Sequence, residues 1–173
     1  MKDAEALLKE QIKAGPTGVY LLYGEEPYLV DQYARQLQQR TVADPEDVFN
    51  CQRLDGEETT PEQLEQAVTM LPVMAEKICV TVRDMDLAAC SDRIVALMRD
   101  LPDTCVLIFR QVSRQPDRRK KSWQAVLKQV EAAGLAVSFA RRSPAQLQQL
   151  LVSGAGQRGC RLDARGAALL AEQ

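Results

Sequence analysis

The chain has 173 residues, of which 46% are hydrophobic and 27% are charged, so it is long enough to bury the core of an ordinary domain. Its formal net charge of −2 argues against a strongly basic domain that binds nucleic acid over its whole surface. The sequence contains no histidine. This excludes Ser-His and Cys-His nucleophilic sites, and any histidine-ligated metal centre, within the chain.

The five cysteines predict a reduced protein. Their spacing contains no CxxC pair and fits neither a disulfide framework nor a zinc site. The charged amphipathic N-terminal segment lacks the apolar core of a signal peptide, and no apolar stretch is long enough to span a membrane. We therefore expect a cytoplasmic protein without a membrane contact.

The first predicted elements in chain order are a helix, a strand and a second helix. Apolar residues at helical spacing predict a short amphipathic helix over residues 3–13. The apolar run at 19–23 (VYLLY) predicts a strand that is buried on both faces. A helix is expected from about Pro27, because proline suits the first helical position. Residues 49–54 are a weaker strand candidate.

The next helix has a recognisable start. Thr60 is the expected N-cap, Pro61 stands at the first helical position, and Gln63 would close a capping box. The run at 78–82 (ICVTV) predicts another buried strand. Ser91 is expected to cap the helix that follows, because serine accepts a hydrogen bond from an unpaired helical N–H.

The remaining elements repeat the same alternation. Residues 105–109 (CVLIF) predict a third strong strand, and a helix from about Trp123 is expected to end at Gly134. Residues 135–139 (LAVSF) complete the series. Five alternations of strand and helix predict a parallel sheet with helices on both faces and right-handed crossovers.

A domain boundary is predicted near residue 141, because no strand pattern follows it. Residues 1–140 form the predicted α/β domain. Residues 141–173 contain two predicted helices, one starting at Ser143-Pro144 and one near Asp163 that continues to the end of the chain. Two helices cannot bury both their faces alone, so we expect this segment to be the truncated beginning of a helical domain.

The turn after the first strand stands where nucleotide-binding folds place a phosphate loop. That loop needs the pattern GxxxxGK[ST], because backbone N–H groups and a lysine must meet the phosphate charge. After Gly24 the second glycine, the lysine and the hydroxyl are missing, and Glu25 and Glu26 would repel an anion. We expect no cofactor here. Asp84 and Asp86, after another strand, are expected to be solvated rather than to hold Mg²⁺.

Residues 110–121 form a basic segment that contains a single acid, Asp117. Such a segment can contact phosphates. No aromatic residue alternates with its charges to stack on bases, which favours a solvated loop or a contact with a protein. Contact with DNA or a partner remains the alternative, and its candidate residues are Arg114, Arg118, Arg119, Lys120 and Lys121.

An apolar loop precedes the predicted strand at 78–82. Pro72 stops the preceding helix and biases Leu71 towards an extended conformation. Val73 and Met74 follow in a segment that is flanked by charge. From the residues alone two interpretations stay open: Val73 and Met74 fold into the core, or they form an exposed apolar wedge for a partner's pocket.

Three stretches, in this order and spacing, closely resemble the delta subunit of bacterial DNA polymerase III. They are VYLLYGEEPYLVD at 19–31, TMLPVMAEKICVTV at 69–82 and the basic run at 117–121. In that family the first strand has a similar sequence, and a helix ends in a Leu-Pro-hydrophobic-hydrophobic segment before the next strand. Residues 143–173 are similar to the start of the family's helical lid domain, so the resemblance covers essentially the whole chain.

The resemblance implies an AAA+-like fold, related to the P-loop NTPases, without a working ATP site. It implies a clamp-loader subunit that binds and opens the sliding DNA clamp during replication. Such a subunit has no catalysis of its own within the DNA-directed DNA polymerase holoenzyme. The clamp-binding residues by this resemblance are Leu71, Pro72, Val73 and Met74. The second anchor is often phenylalanine in the family, whereas here it is Met74.

The implied partners are the sliding clamp (the beta subunit) and, in the full-length protein, the other clamp-loader subunits. Contact with DNA is expected to be indirect or weak. Because most of the lid domain and the collar domain are absent, we expect this chain to bind the clamp without assembling into a loader. Two alternatives stay open: a nucleic-acid-binding module that uses segment 110–121, and a degenerate nucleotide-handling enzyme of P-loop ancestry.

Overall fold

The computed structural model describes residues 3–171 of the chain. The predicted continuation of the last helix to Gln173 lies outside the described residues. The elements in chain order are α1 (Ala4–Ala14), β1 (Gly18–Gly24), α2 (Pro27–Thr41), β2 (Cys51–Asp55), α3 (Pro61–Thr69), β3 (Ile78–Arg83), α4 (Ser91–Arg99), β4 (Cys105–Gln111), α5 (Lys121–Ala133), β5 (Gly134–Phe139), α6 (Pro144–Gln157) and α7 (Ala164–Ala171).

The five strands form one sheet in the order β2-β3-β4-β1-β5. Each of the four neighbouring pairs is parallel. The apolar runs in β1, β3 and β4 are buried along almost their whole length, as expected of strands that are covered on both faces. The predicted α/β fold with a parallel sheet is therefore confirmed.

Helices cover both faces of this sheet. On one face a continuous apolar cluster joins the strands to α3, α4 and α5 through side chains such as Leu64, Ile94 and Val126. Alternate strand residues point to the opposite face. There α2 packs against the sheet, and the Gln38 side chain donates a buried hydrogen bond of 2.8 Å from Nε2 to Oγ1 of Thr81.

The starts of α3 and α4 can be compared with the capping predictions. The capping box at Thr60 and Gln63 is present, so that prediction is confirmed. The prediction that Ser91 caps α4 is wrong by one position. The Cys90 carbonyl accepts the first helical hydrogen bond, from the Ile94 N–H at 3.0 Å, so Ser91 is already helical. The Cys90 side chain makes no capping bond.

The start of β2 also differs from its prediction. The strand begins at Cys51 rather than at Phe49, because the chain between α2 and β2 turns at Asp44–Asp47. Phe49 consequently lies outside the sheet.

The contacts between residues divide the chain into two compact units, residues 1–139 and 140–173. In the second unit α6 packs against α7, and Ala167 is fully buried. Ser143 and Gln146 form a second capping box at the start of α6. All five cysteines are free thiols. Among the described residues, no helix combines the length and the apolar character needed to cross a membrane.

Gly134 joins α5 to β5 without a connecting loop. It pairs with Val19 across the sheet, and a Cβ atom at this position would overlap the Val19 backbone. We expect Gly134→Ala to lower the free energy of unfolding by about 1–3 kcal/mol or more, as overpacking does in a close-packed interior. Chemical denaturation followed by circular dichroism measures this.

Gly156→Ala is the matched control, because apart from its chain neighbours and its own helix backbone no atom lies within 4 Å of the Cβ position in α6. We expect it to leave stability unchanged or slightly higher, since alanine favours helix. Equal stability of the two variants would contradict the close approach of β5 to β1.

Candidate functional site

Two loops meet at the amino-terminal edge of the sheet. One loop, residues 42–50, leads into β2, and the other, residues 70–77, leads into β3. The two strands are parallel neighbours, with Cys51 beside Cys79. Segments that precede parallel neighbours lie at the same edge of a sheet, which brings these two loops together.

The loop before β3, termed the wedge loop (residues 70–77), exposes apolar side chains. Leu71 is 80% exposed, Val73 is 49% exposed and Met74 is fully exposed. The interpretation in which Val73 and Met74 fold into the core therefore does not hold. Neighbouring exposed apolar side chains of this kind mark interaction sites more often than single ones do.

The backbone of Met74 adopts a left-handed conformation with φ of 53°. This region disfavours residues with a Cβ atom, and occupying it costs roughly 1–2 kcal/mol. The wedge loop therefore holds Met74 in this conformation against a local preference, and other contacts must supply the restraint.

Asn50 supplies that restraint from the neighbouring loop. The Val73 N–H donates to Oδ1 of Asn50 at 2.8 Å, and Nδ2 of Asn50 donates to the Val73 carbonyl at 2.8 Å. Nδ2 also donates to Oδ2 of Asp47 at 2.6 Å. The Asn50 carbonyl accepts from the Cys79 N–H at 2.7 Å. Asn50 is 97% buried by these contacts, with 3% of its surface exposed.

Further contacts restrain both ends of the wedge loop. Gln52 donates from Nε2 to the Met70 sulfur, and Lys77 donates from Nζ to the Pro16 carbonyl, each at 2.8 Å. The Ile78 N–H donates to the Thr104 carbonyl where β3 begins. The apolar side chains therefore project from a loop whose backbone is anchored at its start, its centre and its end.

Asp47 organises the adjacent loop. Its Oδ1 accepts from the Phe49 N–H at 2.9 Å, and its backbone carbonyl accepts from the Cys51 N–H at 2.8 Å. The hydrogen bonds from the Phe49 N–H and the Asn50 side chain lower the pKa of the Asp47 carboxyl below its ordinary value of 3.8. The hydrogen bonds of this turn thus stabilise the ionised form of the carboxylate.

The contribution of Asp47 to stability is present above pH 3.8 and lost as the pH falls through its lower folded pKa. We expect an NMR titration of the carboxyl carbon to give a pKa below 3.8. Asn50→Ala should raise it only part of the way, because the Phe49 N–H makes the larger contribution. An unshifted pKa in the wild type would contradict the turn.

The opposite, carboxyl-terminal edge of the sheet carries the turn after β1. Gly24 ends the strand with φ of 135°, and α2 begins three residues later at Pro27. The Glu25 N–H, which a phosphate would need, donates to the Phe139 carbonyl at 2.8 Å. Glu25 and Glu26 stand in place of a glycine-rich cradle. This short turn lacks the length and the glycine-lysine pattern of a phosphate loop.

The expectation that both acids after β3 are solvated is wrong for Asp84, which is buried by structural contacts. Asp84 accepts from the Val112 and Ser113 N–H groups at 2.7 and 2.8 Å, which ties the end of β3 to the start of the basic segment. Asp86 accepts from the Ala89 N–H and pairs with Arg114. Within residues 3–171, no group of three or more cysteine or acidic side chains is arranged to hold a metal ion.

The candidate residues of the basic segment lie at this same carboxyl edge, away from the wedge loop. Arg114 pairs with Asp86 at 3.4 Å, Arg118 donates to the Tyr23 hydroxyl at 3.2 Å, and Arg119 pairs with Asp117 at 3.0 Å. The Arg119 guanidinium lowers the pKa of the Asp117 carboxyl. Lys120 and Lys121 are exposed at the start of α5.

A cleft of about 660 Å³ opens beside α2, over β2 and β3. Its wall contains two ion pairs, Arg110 with Asp31 at 2.5 Å and Arg53 with Glu46 at 3.1 Å. None of the site residues predicted from the sequence lines it.

Sequence reasoning missed the loop before β2. The weaker strand candidate at 49–54 includes Phe49 and Asn50, and Asp47 has no predicted role. One signal was present: Asp44-Pro45-Glu46-Asp47 is a turn composition, and turn residues immediately before Val48 and Phe49 argue against a strand there.

A comparison with known protein families identifies the family to which this chain belongs. The model of the family described as DNA polymerase III, delta subunit, matches residues 20–137, which is more than half of the chain. The chain belongs to the DNA polymerase III delta subunit family. This matches the resemblance seen in the sequence.

Solved structures agree with this fold. The Bacillus subtilis DNA clamp loader delta protein (YqeN) is similar with a TM-score of 0.67 at 19% identity, over 95% of this chain and 51% of that one. A DNA polymerase III gamma subunit-related protein from Thermotoga maritima is similar with a TM-score of 0.56 at 14% identity, over 98% and 58%. The chain thus spans about half the length of these proteins. A search of curated protein sequences found no match.

The delta family and these neighbours support the AAA+-like description of the sheet domain. At such identities they establish the fold and not the residues of the site.

The left-handed backbone conformation of Met74 can be tested by substitution. Met74→Gly removes the side chain and the conformational penalty together, so we expect the free energy of unfolding to rise by up to about 1 kcal/mol. Met74→Ala keeps the penalty and should leave stability nearly unchanged. Thermal unfolding of both variants measures the difference, and a destabilised glycine variant would contradict this backbone conformation.

Proposed function

We propose that this chain binds and opens the sliding DNA clamp during replication, through an apolar wedge made of Leu71, Pro72, Val73 and Met74. The observation that carries the proposal is the exposure of Val73 and Met74 on an anchored loop. Exposed apolar groups on a restrained backbone lose little conformational freedom when a partner covers them, which favours binding.

The proposed mechanism is mechanical and uses no nucleotide hydrolysis by this chain. The wedge loop lies at the amino edge of the sheet, whereas the degenerate turn at Gly24–Glu26 lies at the carboxyl edge. Insertion of the wedge into a pocket of the clamp would release binding free energy, and that energy would favour the open form of the ring if the pocket fits better there.

The domain assignment belongs to this proposal. Residues 1–140 would be the clamp-binding AAA+-like domain without a functional P-loop, and residues 141–173 would be the beginning of the helical lid domain. Two leucines on α7, Leu169 and Leu170, are exposed and offer apolar surface that other helices of such a lid would cover. In the full-length protein we expect assembly with other clamp-loader subunits in the cytoplasm.

A nucleic-acid-binding module that uses segment 110–121 is the alternative. The exposed Lys120 and Lys121 favour it. The contacts of Arg114, Arg118 and Arg119 with the chain's own groups argue against it, because those contacts would compete with phosphates. The alternative predicts DNA binding that weakens steeply with salt and is reduced when Lys120 and Lys121 are neutralised.

The double substitution Val73→Ala/Met74→Ala tests the wedge. Burial of each side chain on a partner contributes on the order of 1.5–3 kcal/mol. We therefore expect binding to the cognate sliding clamp to weaken about a hundredfold, since 1.4 kcal/mol is about tenfold. Surface plasmon resonance with immobilised clamp measures the affinity, and circular dichroism should give an unchanged melting temperature.

Tyr28→Ala is the matched control, because Tyr28 is 55% exposed but stands at the start of α2, away from the wedge loop. We expect its clamp affinity to equal that of the wild type. Undiminished binding by the double variant would place the interface elsewhere and overturn the proposal.

A further inference from the structure

A second pair of exposed apolar side chains stands beside the wedge loop. Val48 is 74% exposed and Phe49 is 61% exposed. The chain has three phenylalanines, and the other two, Phe109 and Phe139, are buried in the sheet. Phe49 is therefore the exception, and it lies on the loop that contacts Val73 through Asn50.

The backbone that carries Phe49 is restrained. The Phe49 N–H is bound by the Asp47 carboxylate, and the next residue, Asn50, is buried and enters the β2–β3 ladder through its carbonyl. The large apolar side chain thus projects from a structured turn and not from a flexible tip. Three acids, Asp44, Glu46 and Asp47, precede it and form a charged margin to the apolar pair.

Asn50 joins the two apolar pairs. It follows Val48 and Phe49 directly in the chain, and its side-chain amide makes both an accepted and a donated hydrogen bond with the Val73 backbone. Consecutive Cα atoms are about 3.8 Å apart, so the two pairs belong to one surface region at the amino edge of β2 and β3. The reciprocal bonds fix the position of one pair relative to the other.

The wedge itself lacks an aromatic residue. Interface anchors are most often large, rigid side chains, and aromatic rings contribute much of the buried area. Met74 fills apolar pockets but keeps more rotamer freedom than a ring. Phe49 is the aromatic side chain that this surface region offers.

We propose that Val48 and Phe49 form a second apolar contact with the sliding clamp, continuous with the wedge, and that Asn50 is the positioning residue that holds the two contacts in register. This inference rests on the proposed function, because it takes the same partner. The composite surface combines Val48 and Phe49 on one loop with Leu71, Val73 and Met74 on the other, and one buried amide joins the two loops.

Phe49→Ala in the full-length protein tests the second contact. We expect clamp affinity to fall about tenfold with an unchanged melting temperature, because the side chain is already exposed in the free protein. Phe49→Leu keeps an apolar group and should stay within about threefold of the wild type. Tyr28→Ala is again the control for an exposed aromatic ring elsewhere, and it should bind like the wild type.

The two proposals fail separately. If Val73→Ala/Met74→Ala abolishes binding while Phe49→Ala binds like the wild type, the second contact is overturned and the wedge stands. If Phe49→Ala weakens binding while the double variant does not, the wedge of the proposed function is overturned instead.

The role of Asn50 needs a readout that a loss of stability alone would not give. Asn50→Ala should weaken clamp binding about three- to tenfold in the wild-type background. In a background that already has Phe49→Ala, Val73→Ala and Met74→Ala, the same substitution should change affinity less than twofold, because the main side chains that Asn50 positions are already removed. An equal loss in both backgrounds would overturn the positioning role.

Discussion

The parallel sheet must be covered on both faces, and the rest of the molecule follows from that requirement. Strands β1, β3 and β4 are buried along almost their whole length, so helices have to cover both faces, with α2 on one face and α3, α4 and α5 on the other. Each crossover then has one connection at the carboxyl edge of the sheet and one at the amino edge. The positions of the candidate sites follow from these two sets of connections.

The two edges of the sheet carry different chemistry. The carboxyl edge, where open α/β sheets usually bind ligands, has a short turn at Gly24 and a set of arginines that contact nearby acids and the Tyr23 hydroxyl. The amino edge carries exposed apolar side chains on two restrained loops. This division is consistent with an AAA+-like sheet. The carboxyl edge of such a sheet ordinarily binds a nucleotide, and here the exposed apolar side chains lie at the opposite, amino edge.

Restraint is the property that makes the amino edge suited to binding. Met74 occupies a disfavoured backbone conformation, and the Asn50 amide, with Asp47 behind it, holds the neighbouring Val73 backbone. One buried asparagine therefore connects β2, β3 and the two loops before them. Such an arrangement loses little conformational entropy when a partner binds, since the two loops are already ordered in the free protein.

Much of the fold could be predicted from the sequence, because the signals are local. Apolar runs at 19–23, 78–82 and 105–109 required buried strands, and Thr60 with Gln63 specified a helix start through bonds between residues three apart. The loss of the phosphate loop at Gly24 was also visible, since that motif depends on residue types at fixed spacing. Ser91 was misplaced by one residue because its role depends on backbone geometry at Cys90.

The arrangement of the candidate site could not be predicted in the same way, because it depends on contacts between segments that are distant in the chain. Whether Val73 and Met74 enter the core or face solvent has no local signature, because the same residues suit both positions. Asn50 and Val73 are 23 residues apart, and only the pairing of β2 with β3 brings them together. Local residue patterns thus specify the order of strands and helices and the absence of a phosphate-loop motif. Which apolar side chains remain exposed, and which amide holds them, follows from the folded structure, because both depend on strand order and register.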